Sequence, residues 1–307
     1  MLLMTIFAPN ERRHFLRTIT ATLGAAIVSI SLSSCVADEQ QRTAKRSTPG
    51  RPAIRQPEAR PKTEAPWVYA ASVIVLDANN GRTLFTKNAE TRRAVASTQK
   101  LMTALLTVER GDLDGTITVA SSDTWAEPSK LYLKAGHRYT RRQILGPMLV
   151  KSGNDAARML ARTHSGSEAA FGRSMTARAR QLGMDNTNFV NASGLTVGGQ
   201  YSTARDMGTL AMKAYRSQTI RKYSRLQQIG FRHADGRSVT FKATNKLLAK
   251  SPYCNGLKTG YTRAAGRCLI CSGTYKGRNV VVVILGSNSK YIWSDSKNLL
   301  HWALGAP

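Results

Sequence analysis

The amino-acid sequence predicts an α+β domain in which one antiparallel sheet gathers both ends of the chain around a helical insertion. Three observations support this prediction. Strand pairs joined by turn residues occur near the start of the domain, at 68–87, and near its end, at 267–286. Helical patterns fill most of the chain between them, and 291–304 has the apolar spacing of a closing amphipathic helix. Helices packed on a sheet form a stable layered architecture.

The first strand pair begins close to Trp67, where the predicted domain, 67–307, starts. Residues 68–77 (VYAASVIVLD) are rich in apolar and β-branched residues and predict a strand. Asn79-Asn80-Gly81 predicts a two-residue hairpin turn, after which 82–87 (RTLFTK) returns as the second strand.

Five helices are predicted between the strand pairs. Their segments have helical composition or spacing and are separated by glycine and proline. They are 98–110, 140–150, 155–164, 168–182 and 203–215. Thr203 is a candidate N-terminal cap of the last one, because its hydroxyl can accept a hydrogen bond from a backbone N–H of the first turn.

The second strand pair turns at Lys276-Gly277 and contains two cysteines. Cys268 and Cys271 are three residues apart on one predicted strand, so they point to opposite faces and should not pair with each other. Cys254 could meet either of them. We expect buried free thiols here.

Composition excludes several classes of protein. The chain has 307 residues and 42% of them are hydrophobic, which excludes whole-chain disorder and a polytopic membrane protein. Four cysteines are too few for a disulfide-scaffolded miniprotein. Five histidines without an H-E-x-x-H motif, and no paired C-x-x-C motifs, argue against a zinc enzyme.

The chain is strongly basic, with a formal net charge of +27. Residues 67–307 alone account for +22, so the excess is a property of the domain and not of a tail. Such a charge attracts polyanions, which include nucleic acid, anionic lipid and anionic wall polymers. Charge alone does not choose among them.

Residues 1–35 predict an export signal. Arg12-Arg13, followed by Phe15-Leu16 and a further base, resembles a twin-arginine signal, and 18–34 is uncharged and apolar or small. The segment ends in Leu-Ser-Ser-Cys, which resembles a lipobox with Cys35 as the acylated residue. Simple cleavage near Cys35 and retention as an uncleaved anchor are the alternatives.

Residues 36–66 follow the signal and are dominated by proline, charged and polar residues. Such a segment cannot bury enough apolar surface to offset its ordering entropy, so we predict a disordered tether. An export signal followed by a tether predicts a protein of the periplasm or cell envelope, with membrane attachment through the N-terminus. This location opposes a role in nucleic-acid binding.

Ser97-Thr98-Gln99-Lys100 is the first motif that suggests chemistry, and it lies where a loop enters the predicted helix 98–110. A serine at a helix N-terminus lies in positive potential, which helps its alkoxide to form. Lys100, three residues later, projects from the same face and can act as a general base if it is held neutral. Alone the motif is weak, because Ser-x-x-Lys also occurs at 287–290 and 294–297.

Two further motifs follow. Ser152-Gly153-Asn154 lies between two predicted helices, where a serine can relay a proton and an asparagine can bind a peptide backbone. Lys258-Thr259-Gly260 lies on a predicted strand. Its lysine would add a fixed positive charge, its threonine could bind a carboxylate, and Gly260 would let a substrate backbone lie close.

The three motifs together resemble those of the low-molecular-mass penicillin-binding proteins, the D-alanyl-D-alanine carboxypeptidase family of serine peptidases. Their order and their helix, helical-insertion and strand contexts fit that family. The similarity covers about residues 68–304 and includes segments that flank the motifs. These segments are 96–104, 151–157, 182–184, 189–195, 201–207, 244–246 and 256–262. The resemblance implies a β-lactamase/transpeptidase-like fold.

The resemblance also implies a mechanism. Ser97 would attack the carbonyl between two D-alanines of a peptidoglycan stem peptide while Lys100 takes its proton. Ser152 would pass a proton to the departing D-alanine, and Lys258 and Thr259 would hold the terminal carboxylate. Backbone amides of Ser97 and of the strand just after the third motif would form the oxyanion hole. β-Lactams should acylate Ser97, and no metal or organic cofactor is needed.

Two departures from the family pattern bear on substrate choice. Gln200 stands where many members have histidine. Some carboxypeptidases have an arginine for the substrate carboxylate after the last strand, but 289–293 (SKYIW) contains none, and Lys290 is a possible replacement. This leaves room for a D,D-endopeptidase that cuts peptidoglycan cross-links.

The remaining alternatives are weaker. A β-lactamase is disfavoured because no convincing additional Glu-x-x-x-Asn motif follows residue 155. A non-catalytic wall-binding protein on the same scaffold would explain the basic charge, but the intact motifs argue against it.

Overall fold

The computed structural model of the protein describes Pro61 and residues 63–307. The predicted export signal, 1–35, with Cys35, lies outside the described residues, and so does the predicted tether apart from its last few residues. One contact involves that end: the Trp302 indole Nε1 donates a 2.9 Å hydrogen bond to the Thr63 carbonyl.

The described residues contain nine strands, eight α-helices and two short 3₁₀ helices, Ala96–Gln99 and Ser121–Thr124. The strands are β1 (Ser72–Asp77), β2 (Thr83–Lys87), β3 (Thr116–Thr118), β4 (Arg138–Thr140), β5 (Gln228–Arg232), β6 (Ser238–Lys242), β7 (Cys254–Thr262), β8 (Gly266–Tyr275) and β9 (Arg278–Ser287). The helices are α1 (Lys100–Glu109), α2 (Arg141–Lys151), α3 (Asn154–Ser165), α4 (Glu168–Gln181), α5 (Ala204–Arg216), α6 (Gln218–Ser224), α7 (Leu247–Lys250) and α8 (Ile292–Leu304).

A five-stranded antiparallel sheet in the order β2-β1-β9-β8-β7 joins the two ends of the domain. The joint is the pairing of β1 with β9, in which Val73 lies opposite Ile284 and Val75 opposite Val282. All the predicted helices lie between these strands or after them. The predicted α+β fold, with a sheet from both chain ends and a helical insertion, is confirmed.

Both faces of the sheet are covered, which explains the unbroken apolar run in β9. Val281 and Val283 face the helical insertion, while Val282 and Ile284 face α8. A strand that is buried on both faces has no polar alternation. The same geometry places Cys268 toward the insertion and Cys271 toward α8, on opposite faces as predicted.

The helix α1 lies at the centre of the insertion. All of its residues from Lys100 to Thr107 are buried, and it packs against α2, α3 and α5. A helix that is enclosed on all sides needs apolar residues around its whole circumference, which LMTALL supplies. Lys100, in the first turn, is therefore buried by the position of the helix.

Several local predictions need correction. The first hairpin turn is not a two-residue turn, because Asp77 N donates to the Arg82 carbonyl and leaves four residues between them. The Asp77 carboxylate accepts from Asn79 N and Asn80 Nδ2, which stabilises the wider loop. The Thr203 cap is confirmed, since its hydroxyl accepts a 3.0 Å hydrogen bond from Asp206 N.

The structure contains two short hairpins, β3–β4 and β5–β6, and two short helices, α6 and α7, that are absent from the sequence-based predictions. The strands β3 and β4 have three residues each, too few for an alternation to be visible. The hairpin of β5 and β6 carries a visible turn signal, Asp235-Gly236, with alternating residues on both sides.

Within the described part of the chain, none of the helices combines the length and the apolar character that crossing a bilayer requires.

Gly172 of α4 tests the packing of the insertion on the segment that follows it. A Cβ at this position would lie 2.3 Å from the Val190 carbonyl oxygen, and backbone cannot yield as a flexible side chain can. We expect Gly172→Ala to lower the free energy of unfolding by about 1–3 kcal/mol, despite the higher helix propensity of alanine. Thermal unfolding would show this as a fall in Tm of several degrees.

Gly198 provides the matched control, because no atom lies within 4 Å of the position of its Cβ. Gly198→Ala should change the free energy of unfolding by no more than about 0.5 kcal/mol. Equal losses in the two variants would contradict the packing argument.

Candidate active site

Ser97 lies in a single 3₁₀ turn, Ala96–Gln99, that leads directly into α1. The Thr98 hydroxyl donates a 2.6 Å hydrogen bond to the Val95 carbonyl and braces the turn. Two glycines allow other segments to approach its backbone. A Cβ on Gly194 would lie 2.0 Å from the Ala96 oxygen, and one on Gly260 would lie 2.9 Å from Ser97 N.

The Lys100 amine lies beside the Ser97 hydroxyl, as the spacing predicted. Its Nζ is 2.9 Å from Ser97 Oγ, 2.7 Å from Asn154 Oδ1 and 2.6 Å from the Ser193 carbonyl oxygen. Burial, and then the nearby Lys258, hold the pKa of Lys100 well below its usual value. A neutral amine in this position can accept a proton from Ser97 Oγ while it donates to the two other oxygens.

Ser152 and Asn154 come from the junction of α2 and α3. Ser152 ends α2 in the left-handed conformation, with φ 70°, and lines the same cavity as Ser97. The Asn154 amide group is already engaged, because its Oδ1 accepts from Lys100 and its Nδ2 donates to the Glu127 carbonyl at 2.9 Å. Asn154 therefore positions Lys100, in addition to the substrate contact that the sequence predicts.

The third motif lies in β7, at the edge of the five-stranded sheet that faces the Ser97 turn. Lys258 is buried, and burial lowers its pKa to about 7. The motif predicts a fixed positive charge at Lys258, whereas a pKa of about 7 makes its protonation depend on pH near neutrality. The Thr259 hydroxyl is 2.6 Å from the hydroxyl of Thr244.

The structure brings all the predicted site residues together around one cavity of about 180 Å³. Five of them line it: Ser97, Ser152, Asn154, Thr259 and Gly260. Lys100 and Lys258 are buried and are absent from its lining. Within residues 61 and 63–307, no group of three or more His, Cys, Asp or Glu side chains is placed to hold a metal ion.

Sequence reasoning missed Arg267, a guanidinium in the wall of this cavity. It lies in β8 opposite Tyr261, stacks on the Tyr261 ring at 4.3 Å, and its Nε donates to Ser289 Oγ at 3.2 Å. The available signal was the predicted pairing of its strand with the strand of the third motif. Lys290, the suggested replacement for the missing arginine, is exposed and is not part of the cavity wall.

Gln200, which stands where many members of the family have histidine, organises the segment that carries Ser193. Its Oε1 accepts from Val190 N and Asn191 N, each at 3.1 Å, and its Nε2 donates to the Leu195 carbonyl. The Ser193 carbonyl then meets the Lys100 amine. A neutral amide can make these donor and acceptor contacts at the same time.

Known proteins resemble this chain in sequence and in fold. The model of peptidase family S11, described as D-alanyl-D-alanine carboxypeptidase, matches residues 59–289. The carboxypeptidase DacF of Bacillus subtilis is 32% identical over 72% of this chain, which spans only 58% of DacF. The D-alanyl-D-alanine endopeptidase of Escherichia coli is 31% identical over 80% of this chain and 83% of that protein.

Solved structures agree with the sequence matches. The DD-transpeptidase of Streptomyces K15 superposes with a TM-score of 0.75 and 29% identity, and the match covers 79% of this chain and all of that one. The carboxypeptidase DacD of Francisella tularensis gives a TM-score of 0.73 and 28% identity, over 80% of this chain and 72% of that one. The chain therefore belongs to the D-alanyl-D-alanine carboxypeptidase family of serine peptidases and has the penicillin-binding protein/transpeptidase fold.

Proposed function

We propose that this protein is a serine D-alanyl-D-alanine carboxypeptidase that removes the terminal D-alanine from peptidoglycan stem peptides. The observation that carries the proposal is the fully buried Lys100 amine, 2.9 Å from the Ser97 hydroxyl at the wall of the cavity. An amine with a lowered pKa beside a hydroxyl is a general base for a serine nucleophile. Membership of the family supplies the substrate class.

Acylation begins when Ser97 Oγ attacks the carbonyl carbon of the penultimate D-alanine and Lys100 Nζ accepts the hydroxyl proton. The substrate backbone pairs with β7, whose outer edge has no neighbouring strand in the sheet. The backbone amide of Ser97 and that of Tyr261, just after Gly260, stabilise the oxyanion. The close approach of Gly260 to Ser97 N supports this pairing of donors.

The leaving D-alanine needs a proton on its nitrogen and an anchor for its carboxylate. Ser152 relays the proton from Lys100 or Lys258. Thr259 and the protonated form of Lys258 bind the carboxylate. Water then attacks the Ser97 ester, releases the shortened stem peptide and restores the serine. A β-lactam mimics the D-alanyl-D-alanine amide and acylates the same oxygen.

A D,D-endopeptidase is the second candidate function. The stretch after β9 has no arginine for a terminal carboxylate, and relatives in Pseudomonas aeruginosa and Escherichia coli are named endopeptidases. A non-catalytic wall-binding protein is a weaker alternative, since the Ser97, Lys100 and Asn154 contacts of a working site are intact.

The proposed location is the periplasm or cell envelope, with residues 1–35 as export signal, 36–66 as tether and 67–307 as the catalytic domain. Lipid attachment through Cys35 is the form of anchoring that the sequence suggests. The twin-arginine-like residues, the apolar stretch and the lipobox-like end of the signal support this arrangement. A role in cell-wall biogenesis and cell shape follows from such an enzyme at such a place.

Benzylpenicillin tests the nucleophile. We expect the intact protein to gain the mass of one benzylpenicilloyl group, because the ester on Ser97 hydrolyses slowly, and Ser97→Ala to gain none. The wild type should also release D-alanine from diacetyl-Lys-D-Ala-D-Ala, measured with a coupled D-amino-acid assay. A wild type that neither gains mass nor releases D-alanine would make the wall-binding alternative the better account.

The pH profile tests Lys258. We expect kcat/KM for the same peptide to fall as the pH rises through about 7, because the free enzyme then loses the ammonium that binds the carboxylate. The bound carboxylate raises the pKa of Lys258, so kcat should fall only at higher pH. On the acid side, activity is lost as Lys100 becomes protonated. A kcat/KM that keeps rising to pH 9 would exclude Lys258 as the carboxylate-binding cation.

A further inference from the structure

Two further cavities follow the active-site cavity in a row along the surface, and each shares lining residues with the next. The second cavity shares Thr244, Arg267 and Trp293 with the first, and the third shares Ala243 and Lys246 with the second. The third cavity, of about 580 Å³, is more than three times the size of the first. The second and third cavities together are named here the leaving-side groove, and they run from Arg267 past β6 to α7.

The charge of the leaving-side groove has one sign. Arg267, Lys246, Lys242 and Lys250 line it, and no aspartate or glutamate lines any of the three cavities. None of these four cations forms an ion pair with a carboxylate within the described residues, whereas Arg142, Arg162 and Arg178 all do. Four cations without carboxylate partners along one groove make a binding surface for an anionic ligand.

The leaving-side groove begins next to Thr259, the residue proposed to bind the carboxylate of the leaving D-alanine. In the proposed acyl-enzyme reaction the terminal carboxylate lies at Thr259, and the Thr259 hydroxyl is 2.6 Å from that of Thr244. Thr244 lines both the active-site cavity and the second cavity. A chain that continues beyond the scissile bond can therefore extend into the groove, which a single leaving D-alanine is too short to reach.

We propose that the leaving-side groove binds the leaving strand of a cross-linked stem peptide, an acidic peptide whose side-chain amine is acylated by D-alanine. This proposal rests on the Ser97 acyl-enzyme chemistry. Ser97 Oγ forms an ester with the D-alanyl carbonyl, the amide C–N bond to the leaving strand breaks, and its nitrogen takes the proton that Ser97 gave up. Water then hydrolyses the ester. Arg267 and the lysines bind carboxylates of the leaving strand that lie beyond the position held by Thr259.

The test compares the kcat/KM of the full-length protein for two substrates. One is a cross-linked peptide dimer with free carboxylates, and the other is the uncross-linked pentapeptide. We expect the triple variant Lys242→Gln, Lys246→Gln, Lys250→Gln to lower the ratio of kcat/KM for the dimer to that for the pentapeptide by about five- to tenfold at low ionic strength. The loss should shrink in about 0.5 M salt, where exposed charges are screened.

A matched control removes the same charge from exposed side chains that line none of the three cavities. Arg82→Gln, Lys276→Gln, Lys297→Gln should keep the wild-type ratio. A dimer whose leaving strand has amidated carboxylates should lose the advantage in the wild-type enzyme, with the lysine variant adding no further loss. These results separate binding of the leaving strand from a general attraction to anionic wall polymers.

The proposal is overturned if the lysine variant and the control variant give the same ratio as the wild type, or the same reduced ratio. Thermal unfolding of both variants checks that the exposed substitutions leave the fold intact. Acylation of the wild type by benzylpenicillin is measured in parallel. If acylation fails, the proposed Ser97 chemistry is wrong; if it succeeds and the ratio is unchanged, only the groove assignment is wrong.

Discussion

The Lys100 amine is buried in the interior of the protein and has contacts to three separate segments of the chain. Its partners are Ser97 Oγ, Asn154 Oδ1 and the Ser193 carbonyl, all within 2.9 Å. Burial and the nearby Lys258 outweigh the attraction of Asp155 and Glu168, so the environment favours the neutral amine that a general base requires. The first turn of α1, the start of α3 and the segment that Gln200 braces are all fixed by this one group.

The two layers of the fold position the remaining parts of the site. The helical insertion supplies Ser97, Lys100, Ser152 and Asn154, and the sheet supplies its edge strand β7 with the third motif. Gly260 lets the two layers approach at the Ser97 turn, where any side chain would collide with backbone. The cavity between them thus has a nucleophile on one wall and a free strand edge on the other, which suits an extended peptide substrate.

The lysines around the site differ in burial, and this difference separates the roles proposed for them. Two lysines behind the cavity, Lys100 and Lys258, have pKa values lowered by burial, which suits the proton transfer and charge binding proposed for them. The lysines of the leaving-side groove are exposed, and in the proposed groove they bind the carboxylates of the leaving strand. The proposals thus assign lysine to proton transfer where it is buried and to substrate binding where it is exposed.

The sequence by itself determined the fold class, most helices and the three motifs, because strand pairs, helical periodicity and the Ser97–Lys100 spacing are local signals. It did not reveal the β3–β4 hairpin, whose strands are too short to alternate, or the width of the turn after Asp77. Only the tertiary structure decided that Arg267 lines the cavity in place of Lys290, that Asn154 holds Lys100, and that Lys258 has a pKa of about 7. These properties depend on burial and on contacts between segments that are far apart in the sequence, and local sequence patterns encode neither.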